Sequence, residues 1–282
     1  QRQKYLPKIA AGQMDFCMAL TEPEAGSDAL AIDTRAVRDG GSYRLDGQKV
    51  FTTAIERAQR ALVVARTTPV GKAPRKSFGL SLLLADPNAE GLTYQSLDKL
   101  GTHCIQSYTV FLDDVRVPFD ELIGEEGEGW TYILDTLNAE RVVTAAGCIA
   151  TADIAMELAC KYAAERKTFG KPIGANQGIQ FPLAKIKIEL EVARLMNYKA
   201  AWMYDRGENA GAEANMAKYL AAEVAFRACD QAIQTLGGYG YTEENHIERL
   251  WRDVRLFRLA PVSQEMILNY VGQYVLGMPR SY

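Results

Sequence analysis

The segment Thr21-Glu22-Pro23-Glu24-Ala25-Gly26-Ser27-Asp28 holds the groups best suited to grip a ligand. Pro23 and Gly26 impose a turn, and Gly26 lets a backbone come close to a bound molecule. Thr21 supplies a hydroxyl, and Ser27 adds a hydroxyl beside its own amide, a small anion-accepting arrangement. Taken alone, the octapeptide reads as an ordinary polar loop at least as well as a binding site. Two glycine-rich stretches invite a nucleotide reading and fail it. A dinucleotide fingerprint needs a glycine turn that opens a helix inside a βαβ unit. Gly124-Glu125-Glu126-Gly127-Glu128-Gly129 carries three carboxylates that repel a pyrophosphate, and Gly237-Gly238-Tyr239-Gly240 follows a helix. Any nucleotide cofactor here must be held differently.

Other chemistries lack parts. The two histidines, His103 and His246, cannot make a His-rich metal site, and no metal is expected. His103 and Cys104 are neighbours on an extended segment, so their side chains point apart. The five cysteines are scattered, odd in number and never Cys-x-x-Cys, which argues against a disulfide framework and a structural zinc. A reducing compartment is the natural reading. The net charge of −3 offers no surface for nucleic acid. The apolar runs read as too short and too often broken by charge for a membrane span. The chain starts with Gln and shows no secretory signal, so a fragment or a processed form is expected.

The elements that must position these groups change character near residue 125. Before it, Tyr43–Phe51 alternates and contains an Asp-Gly turn signal, and Ala61–Arg66, Gly79–Ala85 and Tyr108–Val117 are short strand-like runs. After it, 126–166, 177–206 and 212–236 are long, alanine-rich and periodic at helical spacing. Met216, Leu220, Val224, Cys229 and Ile233 share one face of the third. A shorter helix is expected near Glu243 and a last one over Ser263–Leu276. The fold class is α+β: an antiparallel barrel-like or sandwich-like domain followed by a four-helix bundle.

Thr21–Asp28 then resembles the flavin-binding signature of the acyl-CoA dehydrogenases. The resemblance starts in Tyr5-Leu6-Pro7 and Ala10-Ala11-Gly12. It continues through Gly47-Gln48-Lys49-Val50-Phe51-Thr52-Thr53, Asp114-Val115-Arg116-Val117-Pro118 and Gly124 to Trp130. Arg166-Lys167-Thr168-Phe169-Gly170-Lys171-Pro172-Ile173 with Gln177 follows. Gln234 to Tyr241 and Arg252-Asp253 close it. Ordered motifs over nearly the whole chain are far more specific than any one of them. The resemblance implies the end of an N-terminal helical domain over 1–15, a middle β domain over 16–125 and a C-terminal helical domain over 126–282.

The same resemblance implies FAD as cofactor. Met18, Leu20, Thr21, Phe51 and Thr53 are expected at the flavin ring, and Gly26 and Ser27 beside them, with Ser27 near the pyrophosphate. Ser27 and Arg141 are expected on the substrate side. Arg166, Phe169, Gln234 and Gly238 are expected to reach a neighbouring subunit's FAD, and Ile173 and Gln177 are expected among the cofactor contacts. Ser263 is expected to contact FAD as well. A homo-oligomer follows, commonly a dimer of dimers.

The implied chemistry is α,β-dehydrogenation of an acyl-CoA, with a carboxylate removing the Cα proton. The family places that Glu either before its last helix or on the first bundle helix ahead of an Arg. Pro261 occupies the first position and Glu140-Arg141 the second, so Glu140 is the expected base. Pro261 also lacks the N–H that the family uses on the thioester carbonyl. An enoyl-CoA reductase and a non-catalytic FAD-binding subunit remain alternatives. The implied electron acceptor is an electron-transfer flavoprotein, and the implied location is the bacterial cytoplasm, or the mitochondrial matrix of a eukaryote.

Overall fold

A computed structural model describes residues 1–281, the side chain of Asp135 excepted. The chain divides into two compact units, Gln1–Asp135 and Thr136–Tyr282.

The first unit opens with α1 (Arg2–Ala10). It continues with β1 (Phe16–Ala19), β2 (Arg35–Asp39), β3 (Ser42–Thr53), β4 (Arg60–Arg66), β5 (Leu80–Ala85), β6 (Leu92–Ser96), β7 (Ser107–Pro118) and β8 (Leu122–Ile123). The strands form one sheet in the order β6-β7-β3-β2-β4-β5-β8, with β1 joined to β4. Alternation along β3 buries Tyr43 and Leu45, and alternation along β7 buries Val115 and Val117, so one face of each strand feeds the core. β5 is buried along its whole length.

Two expectations are corrected here. The sheet is not purely antiparallel, because β1 and β2 both pair parallel with β4. Parallel neighbours need a long connection, and the β2–β3 hairpin lies within the one between β1 and β4. Asp46-Gly47 is not a turn either. β3 runs straight through it, and the hairpin turns at Gly40-Gly41. Asp46 instead faces a bulge in β7, where its Oδ1 accepts from the Asp114 amide at 3.0 Å. Gly47 is required for a different reason: a Cβ there would sit 2.5 Å from Thr34 Oγ1.

The second unit is helical. Its elements are α2 (Gly129–Glu165) from Thr136 onward, the short strands β9 (Lys167–Thr168) and β10 (Lys171–Pro172), α3 (Gln177–Asp205), α4 (Gly211–Leu236), α5 (Ile247–Arg255) and α6 (Gln264–Tyr270). Small residues dominate its core. Ala145, Ala152, Ala155 and Ala159 of α2 join Ala221, Ala225, Ala228 and Ala232 of α4, which lets helices pack closely. Val224 and Cys229 are buried on α4, with Leu220 and Ile233 packed against the same core. The last helix is shorter than expected, because the chain passes into a wider turn over Val271–Val275 that contains Gly272.

By length and composition α2 could cross a membrane, with a window of mean hydropathy 1.5. The expectation of no such stretch therefore fails on those criteria. Part of that hydropathy comes from Cys148, Ile149 and Met156, which lie in the core of the helical unit, and part from exposed residues such as Val143 and Ile154.

Candidate active site

In the β unit, the expected ring contacts lie on β1, β3 and the loop after β1. Between the pairs Lys49–Val110 and Thr52–Tyr108, β3 places two residues opposite one on β7. This bulge throws Phe51 outward. Phe51 adopts φ 59° and leaves 66% of its surface exposed. A bulky residue held at positive φ with its ring in solvent is costly unless the ring is wanted there. Thr53 and Met18 are also exposed, and Leu20 and Thr21 are half-buried. Gly26 and Ser27 are exposed in the following loop, and a Cβ on Gly26 would meet nothing within 4 Å.

What fixes that loop escaped the sequence reading. Lys49, fully buried on β3, sends its Nζ to Leu20 O at 3.0 Å and Glu22 Oε1 at 2.8 Å. Glu22 also accepts from the amides of Asp33 and Thr34. Burial pushes the Glu22 carboxyl up, but Lys49 and these donors overcome it and hold the carboxyl below its ordinary value. The Val50 amide donates to Thr21 O at 2.9 Å. Leu20, Thr21 and Glu22 are thus tied to β3 through Lys49 and Val50, the two residues just before the exposed Phe51. The available signal was Lys49 two residues from Phe51, a charge in a strand of otherwise regular alternation.

In the helical unit, a cavity of about 460 Å³ is lined by Tyr162, Arg166, Ile173, Leu236, Gly237 and Gly238, among others. The Arg166 guanidinium is exposed and has no hydrogen-bond or ion-pair partner among the described residues. Gly237 turns at φ 60°, and a Cβ on Gly237 or Gly238 would meet nothing within 4 Å. Gly240 differs: its Cβ would lie 2.5 Å from Ile233 O, so it serves packing. β9 and β10 pair through Thr168 and Lys171 with Phe169 and Gly170 both at positive φ, the geometry of a tight hairpin. Phe169 at its tip is fully exposed. Gln177 and Gln234 are exposed, at the start of α3 and near the end of α4. A guanidinium without a described partner, an open glycine backbone and the exposed Phe169 ring suit a phosphate-bearing aromatic cofactor. Each unit thus carries its own share of the expected flavin contacts.

A second cluster of the helical unit gathers around Glu140. Burial pushes its carboxyl above the ordinary value, and Arg141 opposes the shift. No described residue donates a hydrogen bond to it. Arg141 is itself depressed by burial, with Glu140 and Tyr270 working the other way. Its Nη1 donates to Asn138 Oδ1 at 2.7 Å, while its Nε is buried without a partner. Ala260-Pro261 lies in the loop before α6. Ser263 caps α6 by accepting from the Met266 amide at 3.3 Å. Lys218 of α4, whose Nζ donates to Val262 O in the same loop, was not anticipated. His103 instead hydrogen-bonds Lys99 O, and the buried thiols of Cys17, Cys148 and Cys229 are pushed up to about 11, 12 and 12 by desolvation.

Comparison with known proteins identifies the pattern. The family model for the acyl-CoA dehydrogenase C-terminal domain matches residues 127–276, and that for the middle domain matches 17–115. Acyl-CoA dehydrogenase FadE12 of Mycobacterium tuberculosis is 42% identical over 284 residues, covering 100% of this chain and 72% of its own length. A 3-(aryl)acrylate reductase of Clostridium sporogenes is 38% identical, covering 94% of this chain and 70% of its own. The crystal structure of an acyl-CoA dehydrogenase from Geobacillus kaustophilus superposes with a TM-score of 0.94 at 34% identity, over 97% of this chain and 72% of that one.

Proposed function

The chain belongs to the acyl-CoA dehydrogenase family, and from that premise we propose that it oxidises the Cα–Cβ bond of an acyl-CoA thioester with Glu140 as the base. The family comprises flavin-dependent oxidoreductases whose cofactor is FAD. Bound FAD supplies the acceptor for the hydride that leaves Cβ.

The observation that carries the reading is the state of Glu140. Its carboxyl is partly desolvated and raised in basicity, and no described residue donates a hydrogen bond to it. A carboxylate in that state accepts a carbon-bound proton more readily than a solvated one. Arg141 opposes that rise, and among the described residues its buried Nε has no hydrogen-bond partner. The position before α6 cannot compete, because Pro261 has no carboxylate. In the β unit, Lys49 and Glu22 hold Leu20 and Thr21 beside β3, and Phe51 offers a ring face for stacking. In the helical unit, Arg166 suits phosphate oxygens and Gly237-Gly238 lets a ligand approach the backbone. By this reading the second set serves a neighbouring subunit. Exposed Ile188, Val192, Leu195 and Trp202 recur along one face of α3, which supports a homo-oligomer. A dimer of dimers, an electron-transfer flavoprotein as acceptor and a bacterial cytoplasmic setting complete the proposal.

The test mixes the FAD-loaded protein anaerobically with saturated acyl-CoAs of graded chain length and branching. One or more should bleach the flavin, and Glu140→Gln should slow bleaching by about 10²–10⁴-fold. Bleaching at the parental rate in Glu140→Gln removes Glu140 as the base. The 3-(aryl)acrylate reductase relative favours a second reading, reduction of an enoyl thioester on the same scaffold. Reoxidation of the reduced flavin by enoyl-CoA faster than by an electron-transfer flavoprotein would select that direction. Failure of every acyl-CoA and enoyl-CoA to change the flavin would point to a non-catalytic subunit.

A further inference from the structure

Lys218 is wholly buried on α4, yet no described carboxylate lies within ion-pair distance of it. Desolvation pushes its pKa down to about 8, with Arg141 adding to the effect and Cys148 and Glu265 opposing it. Burying an ammonium without a counter-ion is expensive. Its hydrogen-bond acceptor is a backbone carbonyl, Val262 O, at 2.5 Å. A costly group spent on one loop carbonyl points to a need for that loop's position.

The loop is fixed at both ends. The amides of Leu259 and Ala260 both donate to Leu256 O, and Ser263 closes the start of α6. Between these anchors stand Pro261, which has no N–H, and Val262, whose N–H finds no acceptor among the described residues. Val262 is half-buried, so its amide is neither satisfied by the protein nor freely solvated. α4, α6 and the Glu140-Arg141 turn of α2 converge here: a Cβ on Gly211 of α4 would lie 3.1 Å from Tyr270 Oη of α6 and 3.9 Å from Asn138 Nδ2, and Asn138 Oδ1 accepts from Arg141.

We propose that Lys218 is a positioning residue for the dehydrogenation: by holding the Val262 carbonyl it presents the Val262 N–H to the thioester carbonyl, supplying the hydrogen bond that Pro261 has no proton to make. The inference rests on the Glu140 reading above. Removal of the Cα proton sends electron density into the thioester C=O, so a donor placed there stabilises the charge as it develops. Loss of one such donor costs about 10²–10³-fold in rate. Lys218 itself touches no reacting atom; it sets the peptide that does.

The test uses the FAD-loaded protein and a 3-thiaacyl-CoA labelled with carbon-13 at its carbonyl, a ligand that cannot be oxidised at Cβ. Difference infrared spectroscopy reads the bound carbonyl stretch. In the parent the stretch falls below its value in water. Lys218→Met returns it towards the free value and lowers kcat with a smaller change in KM, and Lys218→Arg retains part of the shift. Replacing the Val262 amide by an ester, which deletes the N–H and keeps the side chain, abolishes the shift with Lys218 in place. A full shift in Lys218→Met, or in the ester variant, overturns the inference, as does the absence of any shift in the parent. If Lys218→Met does not fold, the ester variant and the shift in Lys218→Arg decide. A defect that only destabilised the fold would lower the bound fraction without moving the frequency. The Glu140 reading is judged separately, by loss of Cα proton removal in Glu140→Gln, which does not depend on the carbonyl shift.

Discussion

Lys49 Nζ and Glu22 Oε1 lie 2.8 Å apart with both side chains almost out of solvent, and the same ammonium holds Leu20 O. The pair joins the middle of β3 to the loop expected at the flavin ring, so its loss should lower both the stability of the β unit and cofactor retention.

Lys49→Met should therefore destabilise the protein by about 3–5 kcal/mol, because Glu22 is left buried without its counter-charge. Lys49→Met with Glu22→Gln should recover part of the loss. Denaturant unfolding of both variants, with FAD retention on a desalting column, checks this. The pH sign follows from Glu22, whose carboxyl is held below its ordinary 4.5. Its stabilising contribution is present above that value and is lost as the pH falls through the folded-state pKa.

Gly238 and Gly240 should separate binding from packing. Gly240→Ala drives a Cβ into the Ile233 backbone and should lower stability by about 1–3 kcal/mol. Gly238→Ala has room in the protein alone and should leave the melting temperature of the FAD-free form unchanged while weakening FAD retention. Paired melting and retention measurements on the two variants decide.

Arg166→Gln should behave like Gly238→Ala in stability, since the guanidinium has no partner among the described residues to lose. If Arg166 contacts phosphate, the change should weaken FAD binding about tenfold or more. The parent's affinity should also fall with added salt more steeply than the variant's, because the site is exposed and screened.

Glu140 should impose a stability cost at neutral pH. Its folded-state pKa is raised, so the native state holds the proton more tightly than the unfolded chain. That contribution is complete below the ordinary value of 4.5 and is lost as the pH rises through the folded-state pKa. Glu140→Gln should then melt higher than the parent at neutral pH and equal to it below 4.5. Thermal melts at the two pH values check the sign.

The strands and helices were largely readable because period-2 and helical spacing run through β3, β7 and α4 with few interruptions. The Asp46-Gly47 turn was misread because an Asp that accepts a backbone amide and a glycine that admits a close approach serve a bulge as well as a turn. Glu140, Arg166 and Gly238 were placed by resemblance, and their exposure and partners came from the structure. Lys49 and Lys218 were not legible. A lysine is normally at the surface, and both are buried against carbonyls remote in sequence, Leu20 and Val262. Only the fold brings such partners together.

Removal of the Cα proton by Glu140 is tested most directly by exchange of that proton with solvent. The FAD-loaded protein is incubated in deuterated water with a 3-thiaacyl-CoA, which can lose a Cα proton but no hydride. Deuterium entering Cα is followed by mass spectrometry. The parent should catalyse exchange, and Glu140→Gln should slow it by about 10²–10⁴-fold while still binding the ligand. Exchange at the parental rate in Glu140→Gln would contradict the account.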